Sequence, residues 1–138
     1  MTKPRSLDLA PGRRVLLLVA ALAVAGCGAY SNAVTLAPSP APDSIVFRIS
    51  GANGPPTPAR NVFGLSVVQC GTERSHWTIA ASGTTTMPDL VVFGRPIEGF
   101  EVRTPAEPLA PGCYDVLVSG AKPLRITVGQ DGRATTAP

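Results

Sequence analysis

The sequence has one histidine, His76, among its 138 residues. Any catalytic dyad or triad that needs an imidazole must therefore use His76. The chain also lacks a G-x-S-x-G elbow, a phosphate-binding P-loop, a dinucleotide fingerprint and an H-E-x-x-H pair. Because these signatures of hydrolases, nucleotide-binding enzymes and zinc peptidases are missing, we expect a protein that is not an enzyme and uses no cofactor.

The alternative is a small hydrolase or metal-dependent domain that uses His76. Cys70, Glu73 and His76 follow each other at intervals of three residues and could supply metal ligands from a turn. A disulfide at Cys70 removes one of the three, so we expect no metal site. We expect His76 to face solvent beside a buried Trp77.

The chain also lacks a net charge beyond residue 26. The formal charge of +3 belongs to residues 1–26, and the remainder carries eight acidic and eight basic residues. Nucleic-acid binding requires a concentrated basic face. The basic residues after position 26 occur singly, so we expect no nucleic-acid partner: Arg48, Arg60, Arg74, Arg95, Arg103, Lys122, Arg125 and Arg133.

Residues 1–26 have the order of a secretory signal. Arg13 and Arg14 end a basic segment, and eleven apolar residues from Val15 to Ala25 follow. A membrane-spanning helix needs about 20 apolar residues, so this run is too short to span a bilayer. The sequence Val24-Ala25-Gly26-Cys27 resembles the lipobox of bacterial lipoproteins, in which small residues precede an obligatory cysteine.

The resemblance implies that the chain is cleaved before Cys27 and that the Cys27 thiol carries a diacylglycerol. Two or three acyl chains hold a protein stably on a membrane. The implied location is the cell envelope: the periplasmic side of the outer membrane if the host has two membranes, otherwise the outer face of the cell membrane. The alternative is an ordinary signal with an incidental cysteine.

The pattern after the signal helix predicts one domain, with a tether before it and a tail after it. Residues 27–44 contain prolines at 38, 40 and 42 and little apolar surface, which predicts a lipidated, semi-rigid tether. Residues 45–130 form the predicted domain. Residues 131–138 are predicted to be a disordered tail.

Within residues 45–130 the apolar residues alternate with polar ones and are interrupted by glycine and proline turns. This pattern predicts an all-β fold, a single small antiparallel β-sandwich of six to seven strands, with a small β-barrel as the alternative. Phe63, Leu65 and Val67 are predicted to share one side of a strand. The apolar run Leu90 to Phe93 predicts a central strand.

The C-terminal part of the predicted domain carries a second resemblance. LAPGCYDVLVSG, followed by PLRITVGQDGR, is similar to the closing strands of transthyretin-like and immunoglobulin-like envelope domains. In those domains a turn of the type leucine, x, proline, glycine, x, tyrosine often precedes a strand. The longer pattern from Trp77 through VVFGRPIEGF resembles small bacterial lipoproteins of unassigned function.

Two cysteines remain after Cys27. Cys70 ends one predicted strand and Cys113 begins another, and paired thiols are usual in an oxidising envelope. We therefore expect a disulfide between Cys70 and Cys113, with two unrelated buried thiols as the alternative.

The only surface that the sequence suggests for binding surrounds Phe100. Pro96 and Gly99 interrupt the alternation before Phe100, and an exposed aromatic ring between Arg95 and Arg103 would suit an envelope protein or a glycan. The alternative is that Phe100 covers the core. The sequence thus predicts a membrane-anchored lipoprotein whose β-sandwich has a structural or a ligand-binding or protein-binding role.

Overall fold

The structure is a computed structural model that describes residues 29–138. The predicted signal segment and Cys27 lie outside the described residues. Residues 29–138 contain no helix, hence none that could cross a membrane. Their nine strands are β1 (Asn32–Ala37), β2 (Val46–Gly51), β3 (Gly64–Gln69), β4 (Ser75–Ala81), β5 (Leu90–Val92), β6 (Phe100–Thr104), β7 (Gly112–Val118), β8 (Leu124–Val128) and β9 (Ala134–Thr136).

The strands form two antiparallel sheets. The smaller sheet has the order β1-β2-β5, and the larger has the order β6-β4-β3-β7-β8-β9. Neither sheet closes on itself, so the predicted all-β, sandwich-like fold is confirmed and the barrel alternative is wrong. The chain passes between the sheets after β2, after β4 and after β5.

The alternation that predicted the strands also determines the core. In β3 and β4, Leu65, Val67, Trp77 and Ile79 are each at most 1% exposed, while their neighbours Ser66 and Thr78 are partly exposed and bond to each other through their hydroxyls at 3.1 Å. Trp77 meets Phe93 edge to face, with 5.4 Å between ring centroids. Burying an aliphatic or aromatic side chain of this size contributes about 1.5–3 kcal/mol. The largest fully buried side chains are Trp77, Phe47, Ile49, Leu65, Ile79, Ile126, Val67, Val91, Val116 and Val128.

The structure corrects the predicted domain boundaries. β1 lies within the predicted tether and pairs along its whole length with β2, from Asn32 opposite Gly51 to Ala37 opposite Val46. β9 lies within the predicted tail and pairs with β8. The proline-rich residues 38–45 are the connection between β1 and β2. The six to seven predicted strands therefore become nine.

Two predicted strand positions also differ. Leu90–Val92 is a three-residue edge strand rather than a central strand, and the Leu90 side chain is 51% exposed. Phe63 does not share the buried side of Leu65 and Val67: β3 begins only at Gly64, and Phe63 is 69% exposed. In both cases the apolar residue lies at the end of a strand, where the alternation no longer determines its direction.

Asn32 joins three separate segments at one end of the sandwich. Its side-chain Nδ2 donates to the carbonyl oxygens of Arg60 at 2.8 Å and Ser119 at 2.9 Å. Its Oδ1 accepts from the backbone N–H of Arg60 at 2.8 Å. Asn32 is 2% exposed, so water does not replace these bonds. The first strand is thereby bound to the β2–β3 connection and to the β7–β8 turn.

The opposite end of the sandwich is closed covalently. Cys70, after β3, and Cys113, in β7, form a disulfide with a Cα–Cα distance of 5.4 Å across 43 positions of sequence. The next residue, Tyr114, donates its hydroxyl to the carbonyl oxygen of Ala110 at 2.7 Å. That bond gives a physical role to the tyrosine in the Leu-x-Pro-Gly-x-Tyr turn, because it fixes the turn against β7.

The outer face of the larger sheet carries a bidentate ion pair. Arg125 donates to both carboxylate oxygens of Asp115, at 2.8 and 3.0 Å. The hydrogen bond from Arg125 lowers the pKa of Asp115 and desolvation opposes the shift, while the same bond raises the pKa of Arg125. A lowered carboxyl pKa stabilises the fold above the unfolded-state value of about 3.9 and is lost as the pH falls through the folded value. Because the pair is largely exposed, its contribution is small.

We expect Asn32→Ala to lower the free energy of unfolding by about 2–3 kcal/mol, because it removes three part-buried hydrogen bonds, to the carbonyl oxygens of Arg60 and Ser119 and from the N–H of Arg60. Denaturant unfolding of the described domain measures the change. Thr35→Ala is the matched control, since Thr35 is exposed in the same strand. Equal stability of the two variants would show that β1 is not an integral part of the fold.

We expect the Cys70→Ser/Cys113→Ser variant to lose about 4 kcal/mol, the chain-entropy value for closing a loop of this length. Reductant should lower the stability of the wild type to that of the variant and leave the variant itself unchanged. Mass spectrometry under non-reducing conditions should recover the Cys70 and Cys113 peptides as one species. Two free thiols in material isolated from an oxidising compartment would contradict the pairing.

Candidate functional site

A polar cleft of about 690 Å³ lies beside the edge strand β5. Its walls are two of the three connections that cross between the sheets: residues 82–89, after β4, and residues 93–99, after β5. Thr84, Thr85 and Thr86 line one wall, and Arg95 and Glu98 line the other. The Thr85 hydroxyl donates to the carbonyl oxygen of Glu98 at 3.5 Å. The cleft thus combines neutral donors and acceptors with one charge of each sign.

The two walls are bound to each other. Ser82 donates its backbone N–H to the carbonyl oxygen of Gly99 at 2.9 Å, and its hydroxyl donates to the same oxygen at 3.2 Å. Gly99 has a φ of +80°, and a β-carbon at this position would collide with Thr85. Glycine is therefore required where the second wall approaches the first. The result is a cleft whose width is fixed by backbone contacts.

The charged groups of the cleft are available to a ligand. Arg95 is exposed at a tight turn in which its backbone N–H donates to the carbonyl oxygen of Val92 at 3.1 Å. Neither Arg95 nor Glu98 forms an ion pair with another residue of the described part of the chain. Leu90 and Ile97 add apolar surface to the walls, and no aromatic side chain lines the cleft.

The structure separates the three residues of the predicted contact surface. Arg95 lines the cleft, whereas Phe100 and Arg103 do not. Phe100 is partly buried and packs against the core, which is the alternative that the sequence left open. Arg103 lies on β6 with its guanidinium 3.0 Å from Glu101. Thr84, Thr85 and Thr86 also line the cleft, and three consecutive hydroxyl-bearing residues in a connection are the signal in the sequence that could have indicated it.

His76 lies at the other end of the sandwich and is buried, so the expectation of a solvent-facing His76 is wrong. In the β3–β4 pair Val67 lies opposite Trp77 and Val68 opposite Ser75, which makes His76 the extra residue of a β-bulge. A bulge turns two successive side chains to the same side of a sheet. His76 and Trp77 accordingly both face inward, and His76 is 6% exposed.

The imidazole of His76 has little polar contact. Neither ring nitrogen has a hydrogen-bond partner among the described residues. Nδ1 lies 3.7 Å from Oε2 of Glu107, but that oxygen accepts from Arg74 at 3.0 Å instead. The ring meets Tyr114 edge to face, with 5.3 Å between centroids. His76 therefore packs as part of the core beside an exposed Arg74–Glu107 pair.

Cys70, Glu73 and His76, the three residues of the alternative metal site, do not form a ligand cluster. Within residues 29–138 no group of three or more histidine, cysteine, aspartate or glutamate side chains could hold a metal ion. Cys70 is in the disulfide, and Glu73 is exposed in the turn between β3 and β4. The candidate functional site of the described domain is therefore the polar cleft.

No family model matches the chain, and neither a curated protein nor a solved structure is significantly similar to it. Its role is therefore inferred from the geometry of the described residues and from the sequence of the N-terminal segment.

We expect His76→Leu to leave the free energy of unfolding within about 1 kcal/mol of the wild type or to raise it, because a buried imidazole without hydrogen bonds is replaced by an apolar side chain. Glu107→Gln is the companion variant, since it keeps the shape of the side chain and removes its charge. A loss of more than about 2 kcal/mol in both variants would instead show that the imidazole and the carboxylate stabilise each other.

Proposed function

We propose that this chain is a cell-envelope lipoprotein, anchored through lipid on Cys27, whose β-sandwich is a non-catalytic binding module. The polar cleft beside β5 is its binding site. The observation that carries this proposal is an exposed Arg95 without an ion pair among the described residues, held in a cleft of rigid width next to an edge strand.

The disulfide between Cys70 and Cys113 supports the location. Disulfides persist in oxidising, extracytoplasmic compartments and are rare in the cytosol. The lipobox-like sequence before Cys27 supports the anchor, and its basic, apolar and small residues occur in the order that signal peptidases of lipoproteins recognise. Together they favour a domain held on the outer side of a membrane.

The chemistry of the cleft favours an extended protein segment as the ligand. Among the described strands β5 pairs only with β2, and on its other side the Val92 carbonyl oxygen already accepts from the Arg95 N–H. The backbone groups of Leu90 and the N–H of Val92 would remain for bonds to the backbone of another strand. Arg95 and Glu98 would bind side chains of opposite charge at the two ends of such a segment. A glycan is less well matched, because sugar rings stack on aromatic side chains and none lines the cleft.

The alternative of a hydrolase or metal-dependent domain depends on His76. Its side chain is only 8% exposed and packs against Tyr114. A general base must reach the proton that it removes, either directly or through one water molecule. The buried position of His76 therefore favours a structural role over a catalytic one.

Photo-crosslinking in intact envelopes tests the binding site. A benzoylphenylalanine replacing Thr86, which is exposed at the cleft, should form a crosslink to another envelope protein, whereas the same group replacing Thr127 on the outer face of β8 should not. We expect Arg95→Ala to reduce the crosslink about tenfold, the effect of losing one charge-assisted hydrogen bond.

Arg103→Ala is the matched control, because Arg103 is already paired with Glu101 and does not line the cleft. Equal crosslinking from Thr86 and Thr127, or no effect of Arg95→Ala, would contradict the proposal. If the crosslinked molecule is a glycan, the ligand is a carbohydrate and not a protein. If His76→Leu abolished the crosslink and Arg95→Ala did not, the result would favour the alternative that depends on His76.

A further inference from the structure

The chain enters the sandwich at one end, which we call the anchor end and define as residues 29–31, 52–63 and 119–123. The backbone N–H of Asn32 donates to the carbonyl oxygen of Gly120 at 3.0 Å, and Ala52 donates to Ser31 at 3.0 Å. These bonds bring the three segments together. The polypeptide therefore leaves the described domain toward Cys27 from the anchor end, opposite the disulfide.

The anchor end exposes two aromatic side chains. Phe63 is 69% exposed, the largest value among the large hydrophobic residues of the described chain, and Tyr30 is 52% exposed. The backbone of Phe63 is held on both sides, because its N–H donates to the Ser119 hydroxyl at 3.1 Å and its carbonyl oxygen accepts from Ala81 at 2.8 Å. The Phe63 ring is thus presented to solvent from a fixed backbone.

Two basic side chains accompany these rings. Arg60 and Lys122 are exposed, and neither forms an ion pair with another described residue. Arg60 is attached to the start of β1 through both of its backbone hydrogen bonds with Asn32. Asp89, which precedes β5 at the same end, is the acidic residue that opposes them. The anchor end therefore combines apolar rings with a small excess of positive charge.

The sequence places this surface close to the predicted lipid. Asn32 follows Cys27 by five residues, and five extended residues span at most about 17 Å. We propose that the anchor end lies in the headgroup layer of the membrane, with Phe63 and Tyr30 at the interface and Arg60 and Lys122 near anionic lipid phosphates. This inference rests on the lipidation of Cys27 proposed above.

The chemistry of the four side chains fits a lipid surface. Tyrosine concentrates at membrane–water interfaces because its ring is apolar and its hydroxyl is polar. Phenylalanine is among the apolar residues with which peripheral segments enter the boundary between headgroups and acyl chains. Basic residues near an anionic surface are attracted to it over about one Debye length. The lipid anchor keeps the anchor end near the membrane and allows it to come within this distance of the surface. The domain is then oriented as well as tethered.

Fluorescence quenching by brominated lipid tests the orientation. The mature, lipidated chain carrying Phe63→Trp is reconstituted into vesicles of phosphatidylcholine and phosphatidylglycerol with brominated acyl chains. We expect its emission to fall by about half, since an interfacial residue reaches roughly 5–10 Å into the boundary while the second tryptophan, Trp77, stays in the core.

Glu73→Trp is the matched control, because Glu73 is exposed at the end that carries the disulfide. Its emission should not change with brominated lipid. The Arg60→Gln/Lys122→Gln pair, added to Phe63→Trp, should reduce the quenching in phosphatidylglycerol to the level seen in pure phosphatidylcholine. Absence of quenching at position 63, or equal quenching at positions 63 and 73, would overturn the orientation.

Failure of the anchor is distinguishable from failure of the orientation. The mass of the N-terminal peptide shows directly whether Cys27 carries acyl chains, and Cys27→Ser should prevent flotation with the vesicles. An unmodified Cys27 would overturn both the lipoprotein proposal and this inference. A lipidated chain that floats without quenching at position 63 would overturn this inference alone.

Discussion

The buried side chain of Asn32 is the constraint that holds the first strand in the fold. Its amide reaches Arg60 and Ser119, which are 28 and 87 positions away in sequence. An amide that is 2% exposed can bond only to protein, so the three segments must meet for its polar atoms to be satisfied. Without that junction, β1 would be an edge strand held by its pairing with β2, the bridge from Asn32 to Ala121 and the burial of Val34 in the core.

The two ends of the sandwich are closed by different physical means. At the anchor end the closure is a hydrogen-bonded amide, and at the other end it is the Cys70–Cys113 disulfide together with the Tyr114 hydroxyl. A disulfide acts mainly by restricting the unfolded chain, whereas a buried amide acts on the folded state. Reduction therefore weakens the domain without removing the contacts that determine its register.

The sequence patterns predicted the strands whose two faces differ in polarity, such as β3, β4, β7 and β8. They did not predict β1 and β9, because both are edge strands of mixed polarity whose pairing partners the alternation does not indicate, and β9 has only three residues. His76 was placed wrongly for a related reason: a bulge shifts the alternation by one residue, and a period of two cannot show where that occurs.

The candidate site was predictable only in part. Arg95 was among the residues that the sequence indicated, whereas the other residues that line the cleft were not, since the cleft joins two connections whose meeting depends on Gly99 lying against Thr85. The spacing of residues along the chain does not show that Gly99 and Thr85 come into contact. Phe100 was misleading because a residue at the start of a strand can face either the core or solvent, and here it packs against the core.

The proposed membrane surface and the cleft are neighbours in the fold. The groove beside Phe63 has a volume of about 500 Å³ and shares Thr84, Thr85 and Thr86 with the cleft of Arg95. If the anchor end rests on lipid, the cleft would therefore lie close to the headgroup layer, separated from Phe63 only by the threonine segment that the two cavities share. Under the two proposals, a protein segment that binds along β5 would have to reach the edge strand close to the membrane surface. The short distance between Cys27 and β1 would then restrict the partners of the cleft as well as the position of the domain.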